Sequence, residues 1–432
     1  MTNQISLLGT SSSLSGASSS LSGASDVRPK LSALIQDMCP NGVEFKTLGE
    51  VTYWDKRFNE VDRSLQPQIR KYHYYLANEL EELESPTGTI KILYTSNRIA
   101  YADEETVAEN VVEAEVVAIP WGGNANIKYF KGKFITADNR IAVVRDPSIL
   151  STKFVYYWLT KNQTEIDSYY RGAGIKHPSM LKVLSLPIPL PPLEIQKKIV
   201  HILDRFSALA AELQAELQAE LQKRRTQYEY YRTQLLTPPQ NISPEGSTDE
   251  RNWEWKTLGE VCEMKAGIHI NAADIRDAID SEYLYPCFGG NGIRGYVKSY
   301  SNIGEYPIIG RQGALCGCVN YAQDKFYATE HAVVVKPYKG YSSRYLFHML
   351  TFADLNQYKS QGAQPGLAVG NLKTLKYAFP PLAEQARIVS ILDKFEALTT
   401  SLSDGIPAEQ AAQQKRYEYY RDLLLTFDRK AE

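Results

Sequence analysis

One run of glycines resembles the motif of a cofactor-binding loop. The run GNGIRG at 290–295 fits the G-x-G-x-x-G pattern of dinucleotide-binding proteins. That pattern needs a buried strand before it and a helix after it, since the cofactor pyrophosphate sits at the helix N-terminus. Here YPCF precedes the run and the strand-like GYVKSY at 295–300 follows it. The pattern therefore favours a turn between two strands over a dinucleotide site.

Other catalytic motifs are missing from the sequence. It contains neither a G-x-x-x-x-G-K-[ST] phosphate loop nor an H-E-x-x-H metal motif, and its six histidines are scattered. Amino-methyltransferases hold an extruded base with an N-P-P-[FY]-type tetrapeptide, but the prolines at 191–192, 238–239 and 380–381 lack the Asn or Asp and the aromatic residue. We therefore expect a non-catalytic chain that binds no cofactor or metal of its own.

The cysteines do not suggest a disulfide framework or a zinc site. There are five of them, and Cys316-Gly317-Cys318 is too tight for the usual C-x₂-C zinc knuckle and lacks a second pair nearby. We expect free thiols in a cytoplasmic protein.

Composition places the chain among ordinary globular proteins. Its 432 residues, 43% hydrophobic and 23% charged, suffice for two to three domains with cores of their own. The net charge of −2 argues against a generally basic protein, although a local basic face can still bind a polyanion. No run of about 18 apolar residues and no secretory signal is evident, so we expect no membrane association.

The chain contains the same unit twice. Long repeats of this kind indicate the overall architecture, so they are considered before local patterns. Three phrases recur: EFKTLGEV at 44–51 as EWKTLGEV at 254–261, PPLEIQKKIVHILDRFSAL at 191–209 as PPLAEQARIVSILDKFEAL at 380–398, and YEYYR at 228–232 as YEYYR at 417–421. We expect a variable globular region followed by a helical segment, present twice and related by an approximate two-fold axis.

The predicted fold class is α+β. Two small mixed α/β domains are separated by two long helical regions, coiled-coil-like and packed antiparallel. The predicted divisions are a flexible Ser/Gly-rich tail at 1–28, a first globular domain at 29–190, a first long helix at 191–237, a linker and second globular domain at 238–379, and a second long helix at 380–428.

Local patterns predict the elements inside the two domains. Short apolar runs predict strands, and apolar residues at helical spacing predict helices. The predicted strands are 116–120, 134–136, 141–144, 306–310 and 332–335; the predicted helices are 154–166, with Phe154, Tyr157, Trp158 and Ile166 on one face, and 342–350, which begins with a serine cap.

The long helices carry the clearest periodicity. After Pro192 the first runs to about Leu236 with neither Gly nor Pro, and AELQ occurs three times between 211 and 222. Leucines at 209, 213, 217 and 221 form a slowly wrapping stripe that is expected to pack. Gly405 and Pro407 should kink or restart the second helix. The AELQ tract could instead be a homodimeric coiled coil or a plain spacer, but a second helix of equal length favours an internal pair.

Together these features resemble the specificity (S) subunits of type I restriction-modification systems. The resemblance rests on the repeated PPL-x-x-Q-x-x-I-V-x-I-L-D-[RK]-F and YEYYR phrases and on the WKTLGEV-type entry into each domain. FGGNGIRGYV at 288–297 and RQGALCG at 311–317 also look like phrases of that family, and the AELQ repeats are similar to tetrapeptide repeats in the central helix of one subgroup. The Ser-rich tail departs from the compact N-terminus of such subunits.

The resemblance implies a DNA-reading function. A subunit of this kind reads a bipartite, asymmetric sequence in double-stranded DNA through two target recognition domains. Its helices dock two modification (M) subunits, which use S-adenosylmethionine, and restriction (R) subunits that use ATP and Mg then join. A two-headed helical scaffold that binds proteins without DNA is the main alternative, and a nuclease or methyltransferase is disfavoured by the missing motifs.

Side chains for base readout are expected on the domain loops, because arginine, amide and histidine groups can pair with base edges. The candidates are Asn97, Arg98, Asn124, Asn126, Lys128 and Arg171 in the first domain, and Asn291, Arg294, Arg311, Gln312, His331, Gln361 and Gln364 in the second. Asn124 and Asn126 could instead be turn residues beside two glycines, and His331 a hydrogen-bonded core residue. The basic run at 223–225 fits a solvated helix face or an M-subunit contact better than a DNA contact.

Apolar residues of the repeated helices are the candidates for subunit docking or for packing between the helices. They are Ile199, Ile202, Leu203 and Phe206, with the counterparts Ile388, Ile391, Leu392 and Phe395.

Overall fold

The computed structural model describes residues 37, 39–239, 253–313, 315–360 and 365–430. The chain divides into two compact units, Met1–Gln214 with Glu409–Glu432 and Ala215–Ala408. The Ser/Gly-rich tail predicted at 1–28 lies outside the described residues. No described helix is long and apolar enough to cross a membrane.

The first unit is built on a six-stranded mixed sheet in the order β2-β7-β5-β6-β3-β4, with two small pairs, β1-β10 and β8-β9. Its strands are β1 Glu44–Thr47, β2 Thr52–Trp54, β3 Ile90–Leu93, β4 Ala100–Ala102, β5 Val112–Pro120, β6 Lys128–Thr136, β7 Asn139–Val144, β8 Tyr170–Arg171, β9 His177–Pro178 and β10 Pro187–Leu190. Its short helices are α1 Leu48–Val51, α2 Ala77–Glu82, α3 Glu104–Val107, α4 Thr152–Lys161, α5 Gln163–Asp167 and α6 Met180–Leu184, with a 3₁₀ turn at Ala108–Asn110.

The second unit distributes its strands differently. Its sheets have the orders β12-β19-β16-β17, β14-β13-β18-β15 and β11-β20. The strands are β11 Glu254–Thr257, β12 Cys262–Ala266, β13 Tyr285–Gly289, β14 Gly292–Val297, β15 Asn302–Ile303, β16 Tyr306–Gly310, β17 Val319–Ala322, β18 Lys325–Ala328, β19 Ala332–Pro337 and β20 Lys376–Phe379. The helices are α8 Leu258–Val261, α9 Ser343–Phe352 and α10 Val369–Thr374, with 3₁₀ turns at Ala272–Asp274 and Leu355–Tyr358.

Two long helices complete the units, α7 Leu193–Leu236 and α11 Leu382–Leu424. At about 1.5 Å per residue each is roughly 65 Å long. The first unit contains the beginning of α7 and the end of α11, and the second contains the remaining parts of both. Opposite ends of the helices therefore meet within each unit, as predicted. Helix α11 is continuous through Pro407, so the expected restart there was wrong.

In each unit a phenylalanine of one long helix stacks on a tyrosine of the other. In the first unit Phe206 stacks on Tyr420 with ring centroids 5.3 Å apart, and in the second Phe395 stacks on Tyr231 at 5.0 Å. Both pairs come from the repeated ILD-[RK]-F and YEYYR phrases. The leucine stripe is less uniform than expected, because Leu221 is buried whereas Leu209 is 53% exposed.

The repeated phrases also fix how each globular region joins its helix. Thr47 and Thr257 begin α1 and α8 with capping boxes, in which Glu50 and Glu260 accept the threonine backbone N–H. The entry strands then pair with the exit strands, β1 with β10 and β11 with β20. Each domain is thereby closed at the point where its long helix begins.

A buried glutamine near the start of each long helix holds the adjacent domain. Gln196 accepts a hydrogen bond from Ser151 N–H at 2.8 Å and donates one to the Pro191 carbonyl. In the second unit Gln385 likewise accepts from Ser342 N–H and donates to the Pro380 carbonyl. These serines are the N-caps of α4 and α9. The glutamine of PPL-x-x-Q therefore positions the domain helix on the long helix.

The predicted strands all lie within observed strands, and the predicted helix at 342–350 is α9 with Ser342 as its cap. The helix predicted at 154–166 is instead two, because the chain turns at Asn162 between α4 and α5. All four residues of its predicted apolar face are nevertheless buried.

Candidate nucleic-acid interface

The second unit has a cavity of about 930 Å³ beside the turn between β13 and β14. The turn confirms the strand-turn-strand interpretation of the glycine run, since β14 follows it and pairs antiparallel with β13. A side chain at Gly310 would place its Cβ 1.9 Å from the Gly290 carbonyl oxygen, so only glycine allows these two backbone segments to lie this close together. The cavity brings together five sequence-predicted residues: Asn291, Arg294, Arg311, Gln312 and His331. Gln361 and Gln364 lie outside the described residues.

The backbone of Arg311 is held from both sides. Its N–H donates to the His331 carbonyl at 2.9 Å, and its own carbonyl accepts from Leu367 N–H at 2.8 Å. The side chain is half-buried, and its Nε is buried without a hydrogen-bond partner among the described residues. Arg311 therefore projects from a fixed point on the cavity wall.

His331 offers a second unpaired atom on the same wall. Its Nε2 lies 3.3 Å from a carboxylate oxygen of Glu330, which also contacts His269. Its Nδ1 is buried and has no hydrogen-bond partner among the described residues. The His331 side chain is also 38% exposed, so this position differs from the hydrogen-bonded core residue given as the alternative.

Two arginines contribute positive charge to the cavity. Arg294 is exposed on β14, and neither it nor Arg311 forms an ion pair within the described parts of the chain. Arg98 in the first unit differs, since its guanidinium lies 3.1 Å from Glu81 and 2.8 Å from Glu84. A paired arginine is poorly suited to base readout, so the case for Arg98 is weakened.

Two other first-unit candidates hold loops together. Asn126 Nδ2 and Lys128 Nζ both donate to the Thr95 carbonyl, at 3.1 and 2.8 Å. Burial lowers the pKa of Lys128 to about 8. Asn126 thus fits the alternative of a structural loop residue, whereas Asn97 and Asn124 are exposed.

The first unit also contains an aromatic cluster that the sequence reasoning missed. Trp121 and His177 stack with centroids 5.0 Å apart, His177 Nδ1 lies 2.7 Å from the Trp121 carbonyl, and Lys56 lies over the indole. This cluster joins the β5–β6 loop to the β8–β9 hairpin, whose exposed residues include Arg171 and Ile175. An aromatic residue directly before Gly122-Gly123 was the available signal.

The docking candidates divide into buried and accessible positions. Ile199, Leu203, Ile388 and Leu392 lie in the cores of their units, whereas the other four are partly exposed. Ile202 and Phe206 line a largely apolar groove of about 460 Å³ that also includes the exposed Leu209. The buried residues therefore pack within this chain, and the accessible ones leave a surface beside them.

One group of side chains has metal-ligand chemistry. Ligand atoms of His348, Asp393 and Glu396 lie within 4.8 Å of one another, but Arg344 pairs with both carboxylates. Burial lowers the pKa of His348, and its 2.7 Å bond to Asp393 opposes that shift. The first unit has a corresponding group in which Asp204 contacts Lys153 and Tyr157. Because the first unit has lysine and tyrosine where the second has arginine and histidine, this group fits a polar contact between helices better than a metal site.

Comparison with known proteins identifies the family. A family profile described as "Type I restriction modification DNA specificity domain" matches residues 40–223 and 250–410. The chain belongs to this family. The type I restriction enzyme EcoprrI specificity subunit of Escherichia coli is 41% identical over 348 residues, 78% of this chain and 80% of that protein. The EcoR124I/EcoR124II specificity subunit of E. coli is 29% identical over 416 residues, 88% of this chain and 98% of that protein.

Solved structures support the same fold. A chain from a type I restriction-modification system, solved to explain complex assembly and conformational transition, gives a TM-score of 0.59 at 16% identity. The comparison covers 90% of this chain and 98% of that one. The HsdS subunit of Thermoanaerobacter tengcongensis gives 0.50 at 17% identity, over 90% and 97%.

Membership of the family defines the role of the chain. It is a DNA specificity subunit, and the assembled type I complex, rather than this chain, is the enzyme. Its partners are DNA and the other subunits of such a complex. The absence of catalytic motifs noted in the sequence agrees with that role.

Proposed function

We propose that residues 29–190 form one target recognition domain and that residues 238–379 form a linker and a second one, each domain reading one half of a bipartite, asymmetric sequence in double-stranded DNA. In both units the entry strand pairs with the exit strand, a buried glutamine holds the domain helix, and the long helices pack in the same way. The sheets attached to these repeated contacts differ in strand order. Two domains that are attached alike but differ in surface suit two different half-sites.

The observation that carries this proposal is the cavity of the second unit. Five candidates chosen for their ability to pair with base edges line it, and two of them are arginines without ion pairs among the described residues. Phosphate contacts supply affinity and position, whereas contacts to base edges supply sequence. Asn97, Asn124 and Arg171 are the best remaining candidates in the first unit, because all three are exposed, the two asparagines on loops and Arg171 on the β8–β9 hairpin.

We further propose that the helices dock two M subunits. The groove at Ile202, Phe206 and Leu209 is one contact surface, and the partly exposed Ile391 and Phe395 occupy the repeated positions. In the resulting cytoplasmic complex the M subunits supply the S-adenosylmethionine site, and R subunits join with ATP and Mg. This chain itself holds none of these cofactors.

The test is methylation of genomic DNA by the complex. The chain is co-expressed with the M subunit of its own system, the complex is purified, and long-read sequencing locates the methylated adenines. The proposal predicts a single motif with two defined halves separated by an undefined gap. An assembled complex that methylates without sequence preference would instead favour the scaffold function.

A further inference from the structure

The cavity wall presents a hydrogen-bond donor and an acceptor side by side. Arg311 contributes Nε, buried and unpartnered within the described residues, and its Nη groups make no ion pair there. His331 Nε2 faces a Glu330 carboxylate oxygen at 3.3 Å, so the ring tautomer with its proton on Nε2 is favoured and the buried Nδ1 is an acceptor. A buried polar atom without a partner is costly, so this wall is suited to a ligand that supplies both kinds of group.

We propose that this cavity receives the major-groove edge of a G·C base pair, with Arg311 contacting guanine O6 and N7. This proposal rests on the proposed DNA-reading function and names the base pair that the second unit requires. Guanine shows two acceptors in the major groove and its cytosine shows an amino donor. That pattern complements an arginine donor next to a histidine acceptor.

Other ligands fit the wall less well. A phosphate offers acceptors only, so it would satisfy Arg311 and leave the His331 Nδ1 acceptor without a donor. An A·T pair presents one amino donor and two separated acceptors, and it lacks the adjacent O6 and N7 acceptors that match a guanidinium fork. The fixed backbone of Arg311 favours readout, because a preorganised fork loses less freedom when it binds.

Arg294 provides a matched control. It is exposed on β14, and no described ion pair or hydrogen bond fixes its guanidinium. We assign it a phosphate contact, which should strengthen binding to every sequence equally. The two arginines of one cavity should therefore respond differently to changes in the DNA.

The experiment measures Kd by fluorescence anisotropy for the complex of this chain with its M subunits. The DNA carries the methylated motif, and each guanine of the half-site read by the second unit is replaced in turn by 7-deazaguanine, which lacks N7. For the unaltered complex, one position should weaken binding by about ten-fold, in line with a bidentate contact. Inosine at that position, which lacks only the minor-groove amino group, should bind nearly as well as guanine.

The variants separate the outcomes. Arg311→Ala should bind more weakly and lose the response to 7-deazaguanine, and Arg311→Lys should bind more weakly because lysine keeps the charge without the fork. Arg294→Ala should keep the full response while losing affinity for all sequences. A response that persists in Arg311→Ala, or equal losses on all DNA, would overturn the assignment. A complex with no sequence preference before any substitution would reject the proposed function itself.

Discussion

Truncating Phe206 tests how the repeated helices stabilise each unit. Phe206 is half-buried and stacks on Tyr420, with ring planes inclined by 13°. Removing a fully buried phenylalanine costs about 3–5 kcal/mol, so partial burial places Phe206→Ala near 2–3 kcal/mol. About 1 kcal/mol of that should belong to the ring pair, and a double-mutant cycle with Tyr420→Ala should recover it.

Hydrogen exchange is the appropriate assay, because a chain of two units need not unfold in one step. Phe206→Ala should reduce amide protection in the first unit, at the beginning of α7 and the end of α11. Phe395→Ala should do the same in the second unit, where Phe395 stacks on Tyr231. Leu209→Ala is the control on the same helix, since Leu209 is 53% exposed and should leave protection unchanged.

The effect on function should follow from packing rather than from recognition. Phe206→Ala should weaken assembly with M subunits, or solubility, while any complex that still forms keeps its methylation motif. A fully assembled Phe206→Ala complex with a relaxed motif would refute this reasoning. So would equal loss of protection in both units.

Three further perturbations test other positions. Lys128→Met should abolish a rise in stability with pH between about 8 and 10.5. Burial disfavours the charged form of Lys128 in the fold, so the unfolded chain binds more protons in that window. Denaturant melts of the two proteins across this range measure the difference. Arg98→Ala should leave the methylation motif unchanged, because its guanidinium already pairs with Glu84, and a lost base in the motif would contradict that assignment. Deleting one AELQ repeat, residues 215–218, removes about 6 Å of helix and should shorten the gap between the half-sites by about one base pair. An unchanged gap with full activity would mean that the tract does not set the spacing.

The repeated parts of the fold were the most predictable. The shared phrases predicted two long helices and equivalent entries into both domains, because their apolar spacing and proline boundaries are local properties. The capping boxes at Thr47 and Thr257 could also have been found, since T-x-x-E is a sequence signature. The buried bonds of Gln196 could not, because their partners include a carbonyl 47 positions away at Ile149.

The site was predictable as a set of residue types and less so as geometry. Choosing Arg311 and His331 required only their chemistry, but their shared wall depends on the pairing of β16 with β19. The ion pairs of Arg98 could not be predicted, because its partners Glu81 and Glu84 lie 17 and 14 positions earlier in the chain. The Trp121–His177 stack likewise joins residues 56 positions apart, so the local sequence could single out Trp121 but not its partner.

Exchanging one globular region tests whether each domain reads its own half of the motif. Residues 250–379 are replaced by the corresponding segment of the E. coli EcoprrI specificity subunit, and the methylated motif of the chimaeric complex is sequenced beside that of the parent. We expect one half of the motif to change to a half recognised by the donor, while the other half survives. A chimaera that assembles and methylates but changes both halves together would contradict it.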